Sequence, residues 1–339
     1  MTTARIGLMG FGRIGRNVFR LLHDRDDLDV VAIADIAEPT ALTYLLKYDS
    51  IYGRFPVPVE YRDGTLHYGS KTVTFEDSRT PADTKWAKDE VDIVLDTTSR
   101  YRTRADLQGH VDNGASHVVL TSSPETPGEI PLLIRGINDE VLEGNSEMIA
   151  IGSNTSNAAV PILRILDESF GLERVYMTVV KAMSNAGRLA DVPTEAYRTS
   201  RAAGENIIPA ETNSAEIITQ VLPELNGKLM VTALNVPVPD GSTIDMVAEM
   251  SRDVAADEVN EAVKGQVASR YSDIIEYVDD PIVSSDVRLN PHSGIFDSLA
   301  TMVTAGNLLK TITWFNNGWG YSHRVVEAAA AIAARGGSQ

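Results

Sequence analysis

Arg5-Ile-Gly-Leu-Met-Gly10-Phe-Gly12-Arg-Ile-Gly15-Arg16 is the stretch on which the reading of the fold turns. A short apolar run enters a glycine cluster, and Val18, Phe19 and Leu22 then recur at helical spacing up to His23, which predicts strand, tight turn and helix. The glycines follow G-x-G-x-x-G, and their place between strand and helix gives each one a task. Gly10 permits the turn, Gly12 lets backbone approach a pyrophosphate, and Gly15 lets the helix pack on the strand; the helix N terminus offers free N–H donors to the phosphates. A second apolar run, Val30 to Ala34, ends at Asp35 and completes a βαβ unit. A carboxylate there accepts from a ribose 2′-hydroxyl and repels a 2′-phosphate, which favours NAD over NADP. The plainer alternative is a structural glycine turn beside a solvated aspartate.

Outward from this unit, Val91 to Leu95, Val118 to Thr121 and Met148 to Ile151 read as buried strands, with a helix from Thr103 to Asn113 between them. Strands alternating with helices to about residue 152 predict a doubly wound, mostly parallel sheet. Beyond Asn157 the pattern changes to a helix from about Ala158 to Glu168, then to alternating runs at Arg174 to Lys181, Leu229 to Asn235 and Ser242 to Glu249. That period-two alternation predicts an antiparallel sheet with one covered face. Further helices are expected over Asp257 to Tyr271 and Arg324 to Arg335.

At 339 residues the chain has the length of two domains of about 150 residues each. Its 47 acidic and 30 basic side chains leave a formal charge of −17, which argues against nucleic-acid or anionic-membrane partners, since both need a basic surface. The N-terminal segment has no apolar stretch of signal-peptide or membrane-span length, so a cytoplasmic location is expected. The cysteine count of zero removes disulfides, thiolate metal sites and any thiol nucleophile. The six histidines, His23, His67, His110, His117, His292 and His323, form no close ligand pair, and no metal site is expected. The acidic groups Asp24 to Asp27 and Asp279-Asp280 read as a loop and a turn, without calcium-loop spacing.

Several further motifs stand in one order: Lys47-Tyr-Asp-Ser50 with Gly53-Arg-Phe55, Arg201-Ala-Ala-Gly204 with Asn206-Ile-Ile-Pro209, Val221 to Leu225 with Gly227-Lys228, and Trp319-Gly-Tyr-Ser322. Together with the glycine turn they make the chain resemble glyceraldehyde-3-phosphate dehydrogenase over nearly its full length. The resemblance implies a Rossmann-type NAD-binding domain over 1–152, a C-terminal helix (322–336) that packs back on it, and an α+β catalytic domain with an antiparallel sheet over 153–321. It also implies a homotetramer, with Val283 to Asp286 and His292 to Asp297 near subunit contacts. Arg13 and Ile14 should line the pyrophosphate and Ser122 the nicotinamide-side crevice. Asn317 stands where the family's asparagine holds the nicotinamide carboxamide, although the glutamate that follows it is Gly318 here. Val192-Pro193 replace a Leu-Pro pair associated with NAD preference.

The resemblance breaks down at the reacting groups. The family's Ser-Cys-Thr-Thr-Asn is matched by Ser153-Asn154-Thr155-Ser156-Asn157, so Asn154 stands where the nucleophile should be. The family histidine is matched by Lys181, and the phosphate-pairing arginine by Asn235 in Asn235-Val-Pro237. Glu211 lies beside Thr212 where the family binds phosphate. Ser153, Thr155, Ser184, Arg201, Thr212 and Asn235 remain as hydrogen-bonding positions for a small polar aldehyde, ketone or alcohol, with or without a phosphate. An amide cannot add to an aldehyde as a thiolate does, so the phosphorylating route is not expected. Two readings of Lys181 stand side by side: a lysine left exposed or ion-paired after catalysis was lost, or an acid–base group whose proton is tuned by the nicotinamide charge. With the first goes a catalytically inactive NAD-binding regulatory paralogue; with the second, a dehydrogenase in which Asn154 orients the substrate oxygen.

Overall fold

The computed structural model describes residues 3–144, 146–185 and 187–336. The chain separates into two compact units, one of residues 1–133, 138–152 and 322–339 and the other of residues 134–137 and 153–321.

Unit 1 opens with β1 (Ala4–Met9), α1 (Arg13–Leu22), β2 (Leu28–Asp35) and α2 (Pro39–Lys47), followed by a hairpin of β3 (Tyr48–Asp49) and β4 (Gly53–Arg54). It continues through β5 (Val59–Arg62), β6 (Thr65–Tyr68), β7 (Lys71–Asp77), β8 (Ile93–Asp96), α3 (Arg104–Asp112), β9 (His117–Leu120) and β10 (Met148–Ala150). Eight strands form one sheet in the order β10-β9-β8-β1-β2-β7-β6-β5. It is parallel from β10 to β7, with β6 and β5 added antiparallel at one edge. The doubly wound sheet is as expected; the antiparallel edge was not read from the sequence, because its strands are short and interrupted by glycine turns. Strands β1, β2, β8 and β9 are buried almost throughout, as the interior strands of a sheet covered on both faces must be.

Behind the first turn lies a buried polar chain. The indole N–H of Trp86 donates to His110 Nδ1 at 2.9 Å, so Nδ1 is an acceptor and the ring proton sits on Nε2, 3.3 Å from Asp96. All three side chains are 0% exposed. The other oxygen of Asp96 accepts from the Thr98 N–H and hydroxyl, which fixes the segment after β8.

Unit 2 is built from α4 (Asn154–Phe170), β11 (Leu172–Lys181), β12 (Ile208–Ala210), α5 (Ser214–Val221), β13 (Leu229–Asn235) and β14 (Ser242–Met250). Then come α6 (Ala256–Gln266), one turn of π-helix over Val267–Tyr271, β15 (Ile275–Val278), β16 (Gly294–Thr304) and β17 (Leu308–Phe315). The final helix α7 (Trp319–Gly336) begins in unit 2 and belongs to unit 1 from Ser322 onward. There Val325, Ala328 and Ala329 are buried, and Arg335 donates to the carbonyls of Glu143 and Gly144.

The seven-stranded sheet runs β12-β13-β11-β14-β17-β16-β15. It is mixed rather than antiparallel, since β11 pairs β13 in parallel and β15 pairs β16 in parallel. Val175, Met177 and Val179 of β11 and Ile244, Met246 and Ala248 of β14 turn to the core with the apolar side of α4, while Tyr176 and Met230 face outward and are exposed. Helix α4 starts at Asn154, four residues before its expected start, because Ser153 caps it: the Ser153 hydroxyl accepts from Ser156 N–H, and the Ser156 hydroxyl accepts from Ser153 N–H. Helix α7 likewise starts at Trp319, before the Arg324 expected from composition.

Candidate functional site

In unit 1, Gly10 has φ +88°, a left-handed conformation that costs glycine nothing. A β-carbon on Gly15 would lie 2.3 Å from the Gly10 carbonyl oxygen and 3.0 Å from Thr97 Oγ1, so only glycine allows α1 to approach the turn this closely. A β-carbon on Gly12 would meet nothing within 4 Å. Gly12 is also the N-cap of α1 and brings no side chain to its first N–H groups, which leaves a donor-lined opening suited to an anion. Asp35, at the end of β2, accepts from Phe11 N–H at 2.6 Å and Ala37 N–H at 2.8 Å, one on each oxygen. Each oxygen keeps a second lone pair for a hydroxyl donor. The Ser122 hydroxyl is buried with no partner among the described residues, the mark of a position that expects a polar group from a ligand or water. Arg13 and Ile14, in the first turn of α1, are half-buried. An open glycine position, an uncapped helix start, a carboxylate at the second strand end and an orphaned hydroxyl all fit a dinucleotide.

In unit 2, the core-facing row of the sheet turns polar at one end. Lys181 closes β11 and pairs in register with Asn235, the last residue of β13, so both side chains continue the row that begins with Val179 and Ala233. Burial lowers the Lys181 pKa from that of a free lysine, with no ion pair to any carboxylate among the described residues. On the next strand Ser242 takes the N–H of Ala182 at 2.9 Å and donates to the side-chain oxygen of Asn317. The Asn317 carbonyl in turn accepts from Asn154 Nδ2 at 3.0 Å. This run of hydrogen bonds joins the end of β11 to the start of α4.

Asn154 uses its amide inside the protein at both ends, since its Oδ1 also accepts from Thr155 N–H at 2.8 Å. One Nδ2 hydrogen remains for a ligand. Ser153 spends its hydroxyl on the α4 cap, and Thr155 is 1% exposed. Thr212 pairs with Ser214 at the start of α5, at 2.8 Å. Arg201 is an exposed side chain in an ion pair with Asp191 at 3.1 Å, and Ser184 and Val192-Pro193 are exposed as well. The structure therefore joins Asn154 and Asn317 through hydrogen bonds to Ser242 and the end of β11, sets Lys181 and Asn235 side by side in register at that strand end, and leaves Arg201 paired with Asp191 on the surface. Sequence reading missed Ser242, and the only signal for it was a hydroxyl in an otherwise apolar core-facing row.

Comparison with known proteins gives two family-model matches: the NAD binding domain of glyceraldehyde 3-phosphate dehydrogenase over residues 4–104, and its C-terminal domain over residues 153–317. Glyceraldehyde-3-phosphate dehydrogenase of Priestia megaterium is 40% identical over 333 residues, 98% of this chain and 99% of that protein. Glyceraldehyde-3-phosphate dehydrogenase 2 of Streptomyces avermitilis is 40% identical over 327 residues, 96% of this chain and 97% of that protein. That of Geobacillus stearothermophilus is 38% identical over 333 residues.

The contrast between the two glycines is testable by NAD titration beside thermal unfolding. Gly12→Ala has room for its methyl and should keep the wild-type melting temperature while weakening NAD by at least about tenfold; Gly15→Ala should also lose roughly 2 kcal/mol of stability through overpacking. Equal stability in both variants would contradict the close approach. A second prediction concerns Lys181, whose lowered pKa means that the unfolded chain holds the proton more tightly than the folded one. Lys181→Met should therefore raise the urea midpoint at pH 7, and the gain should vanish as pH rises past the free-lysine value of about 10.4. A gain independent of pH would show that the lysine is not desolvated.

Proposed function

The chain belongs to the glyceraldehyde-3-phosphate dehydrogenase family, and from that premise and its lack of any cysteine we propose an NAD-dependent oxidoreductase that works without a covalent intermediate. The family's route starts with a thiolate adding to an aldehyde; Asn154, whose nitrogen lone pair is delocalised, cannot replace it. The reaction that remains is direct hydride exchange on a small polar alcohol, aldehyde or ketone, with or without a phosphate.

The observation that carries this reading is Lys181, an amine whose pKa burial lowers and which no carboxylate compensates among the described residues. Bound NAD supplies the hydride acceptor in one direction and the donor in the other. As a neutral amine, Lys181 takes the hydroxyl proton of an alcohol while its carbon gives up hydride; as an ammonium, it returns that proton to the oxygen of a carbonyl. Asn235 lies beside it in register to orient the same oxygen, with the remaining Nδ2 hydrogen of Asn154 as a further donor. Gly10, Gly12, Arg13, Ile14, Gly15, Asp35 and Ser122 are the proposed cofactor residues in unit 1, and Asn317 the proposed nicotinamide contact. Ser153 and Thr212 support the substrate end through the helix starts they stabilise, and Thr155 through its hydroxyl, which donates to Asn154 Oδ1.

The second reading, an NAD-binding regulatory subunit without turnover, draws on the Asn154 amide, which is engaged at both ends by the protein itself. Turnover distinguishes the two. NADH oxidation and NAD⁺ reduction against glyceraldehyde 3-phosphate and a panel of small carbonyls and alcohols should reveal a substrate, and Lys181→Ala should lower kcat/KM for it by about 10²- to 10⁴-fold. Tight NAD binding with no turnover across the panel would decide for the regulatory reading.

Self-association is proposed as well, as a homotetramer. Tyr176, Met230 and Leu308 are exposed around a groove of about 410 Å³ on the outer face of the unit 2 sheet, while Leu189 and Tyr197 are 99% and 91% exposed. Apolar surface of this kind is ordinarily covered in an assembly. Light scattering on the eluted protein should give four times the 36.8 kDa chain mass, and a monomer would refute it. No helix among the described residues is long and apolar enough to cross a membrane.

A further inference from the structure

Ser242 opens β14 and is 1% exposed, so its hydroxyl must find its partners inside the protein. Its oxygen accepts from Ala182 N–H, and its hydrogen goes to the side-chain oxygen of Asn317. Counting hydrogens settles the orientation of the Asn317 amide. Were that amide turned over, its nitrogen would donate to an oxygen already accepting from Ala182, and the hydroxyl hydrogen would be buried without an acceptor.

Asn317 thus keeps its oxygen on Ser242 and turns Nδ2 away, a donor group with no partner in the described residues. The surrounding backbone is equally constrained. Asn154 Nδ2 holds the Asn317 carbonyl, and the neighbouring Asn316 is anchored by Asp240 at 2.7 Å. The Asn316 side-chain oxygen accepts from the N–H groups of Gly318 and Trp319, which closes the turn that presents Asn317.

We propose that Ser242 is a positioning residue that makes Asn317 act only as a hydrogen-bond donor, so that Asn317 selects the carbonyl oxygen of the nicotinamide carboxamide and not its amino group. This rests on the reading of Asn317 as the nicotinamide contact. An amide free to turn accepts either group; one held by Ser242 takes only an acceptor. The cofactor analogue that keeps the carbonyl and lacks the amino group, 3-acetylpyridine adenine dinucleotide, should therefore bind like NAD⁺. The thionicotinamide analogue, whose sulfur is the weaker acceptor, should bind less well.

Calorimetric titration of NAD⁺, both analogues and ADP-ribose against the wild-type chain, Ser242→Ala and Ser242→Thr provides the test. Ser242→Ala should weaken NAD⁺ by about 3- to 10-fold, the worth of one neutral hydrogen bond, and erase the difference between the oxygen and sulfur analogues. ADP-ribose, which lacks the nicotinamide, should bind as before, and Ser242→Thr, which keeps the hydroxyl, should restore the discrimination. Unchanged NAD⁺ affinity and discrimination in Ser242→Ala overturn the inference, as does an equal loss for ADP-ribose, which would mark a general disturbance. NAD⁺ binding no tighter than ADP-ribose in the wild type refutes the Asn317 reading instead, and failure of both to bind refutes the cofactor reading.

Discussion

A β-carbon on Gly15 would sit 2.3 Å from the carbonyl oxygen of Gly10, and much of unit 1 depends on that atom being absent. Because the helix can close on the turn, its uncapped N terminus is brought to the ends of the parallel strands. There the ends of β2 and β8 supply Asp35 and, through Asp96, the anchored Thr97-Thr98 segment. Thr97 Oγ1 donates to the Gly10 carbonyl at 2.6 Å, while Asp96 is held from behind by His110 and Trp86. A surface opening that receives a ligand is thus supported by a fully buried polar chain, which puts the rigidity where the backbone must stay open.

Unit 2 solves a different problem. Its sheet is covered by α4 along an apolar row, and that row ends in the polar side chains of Lys181, Asn235 and Ser242, of which Ser242 both accepts and donates a hydrogen bond. Lys181 has no carboxylate partner among the described residues. A cation carried into this environment without a counter-ion costs stability, and the proton is held less tightly in consequence. The same desolvation that penalises the folded state makes the neutral amine more available than in a free lysine, a trade common where chemistry occurs. In a chain without a thiol, it is the group on which the proposed mechanism rests.

The legible parts of the sequence were those with a local cause. The glycine spacing announced the turn, the apolar runs of β1, β2, β8 and β9 announced buried parallel strands, and the alternation of Ser242 to Glu249 announced a half-covered strand. The strands β16 and β17 were not read, and β17 shows why: its core-facing row carries Thr311 and Thr313, buried at 1% and 3%, so alternation of burial is not alternation of hydrophobicity. Helix α4 starts four residues ahead of its apolar periodicity because the Ser153–Ser156 cap, which carries no apolar signal, sets its beginning. The motif at Arg201 suggests a substrate contact, whereas the path of the loop exposes the side chain and pairs it with Asp191.

By itself, the sequence determined the glycine turn, the carboxylate at the end of the second strand, the alternation that yields a doubly wound sheet, and the absence of any thiol chemistry, because each depends on residue type and short spacing. Only the tertiary structure decided which polar groups meet. Ser242 reaches Ala182 across 60 residues of chain and Asn317 across 75, Asn154 reaches Asn317 across 163, and Lys181 has no counter-ion among the described residues. Such contacts are made by strand register and by the place where a helix begins, and neither the hydrogen-bond partner of a buried hydroxyl nor the solvation of a lysine is encoded at the residue that carries it.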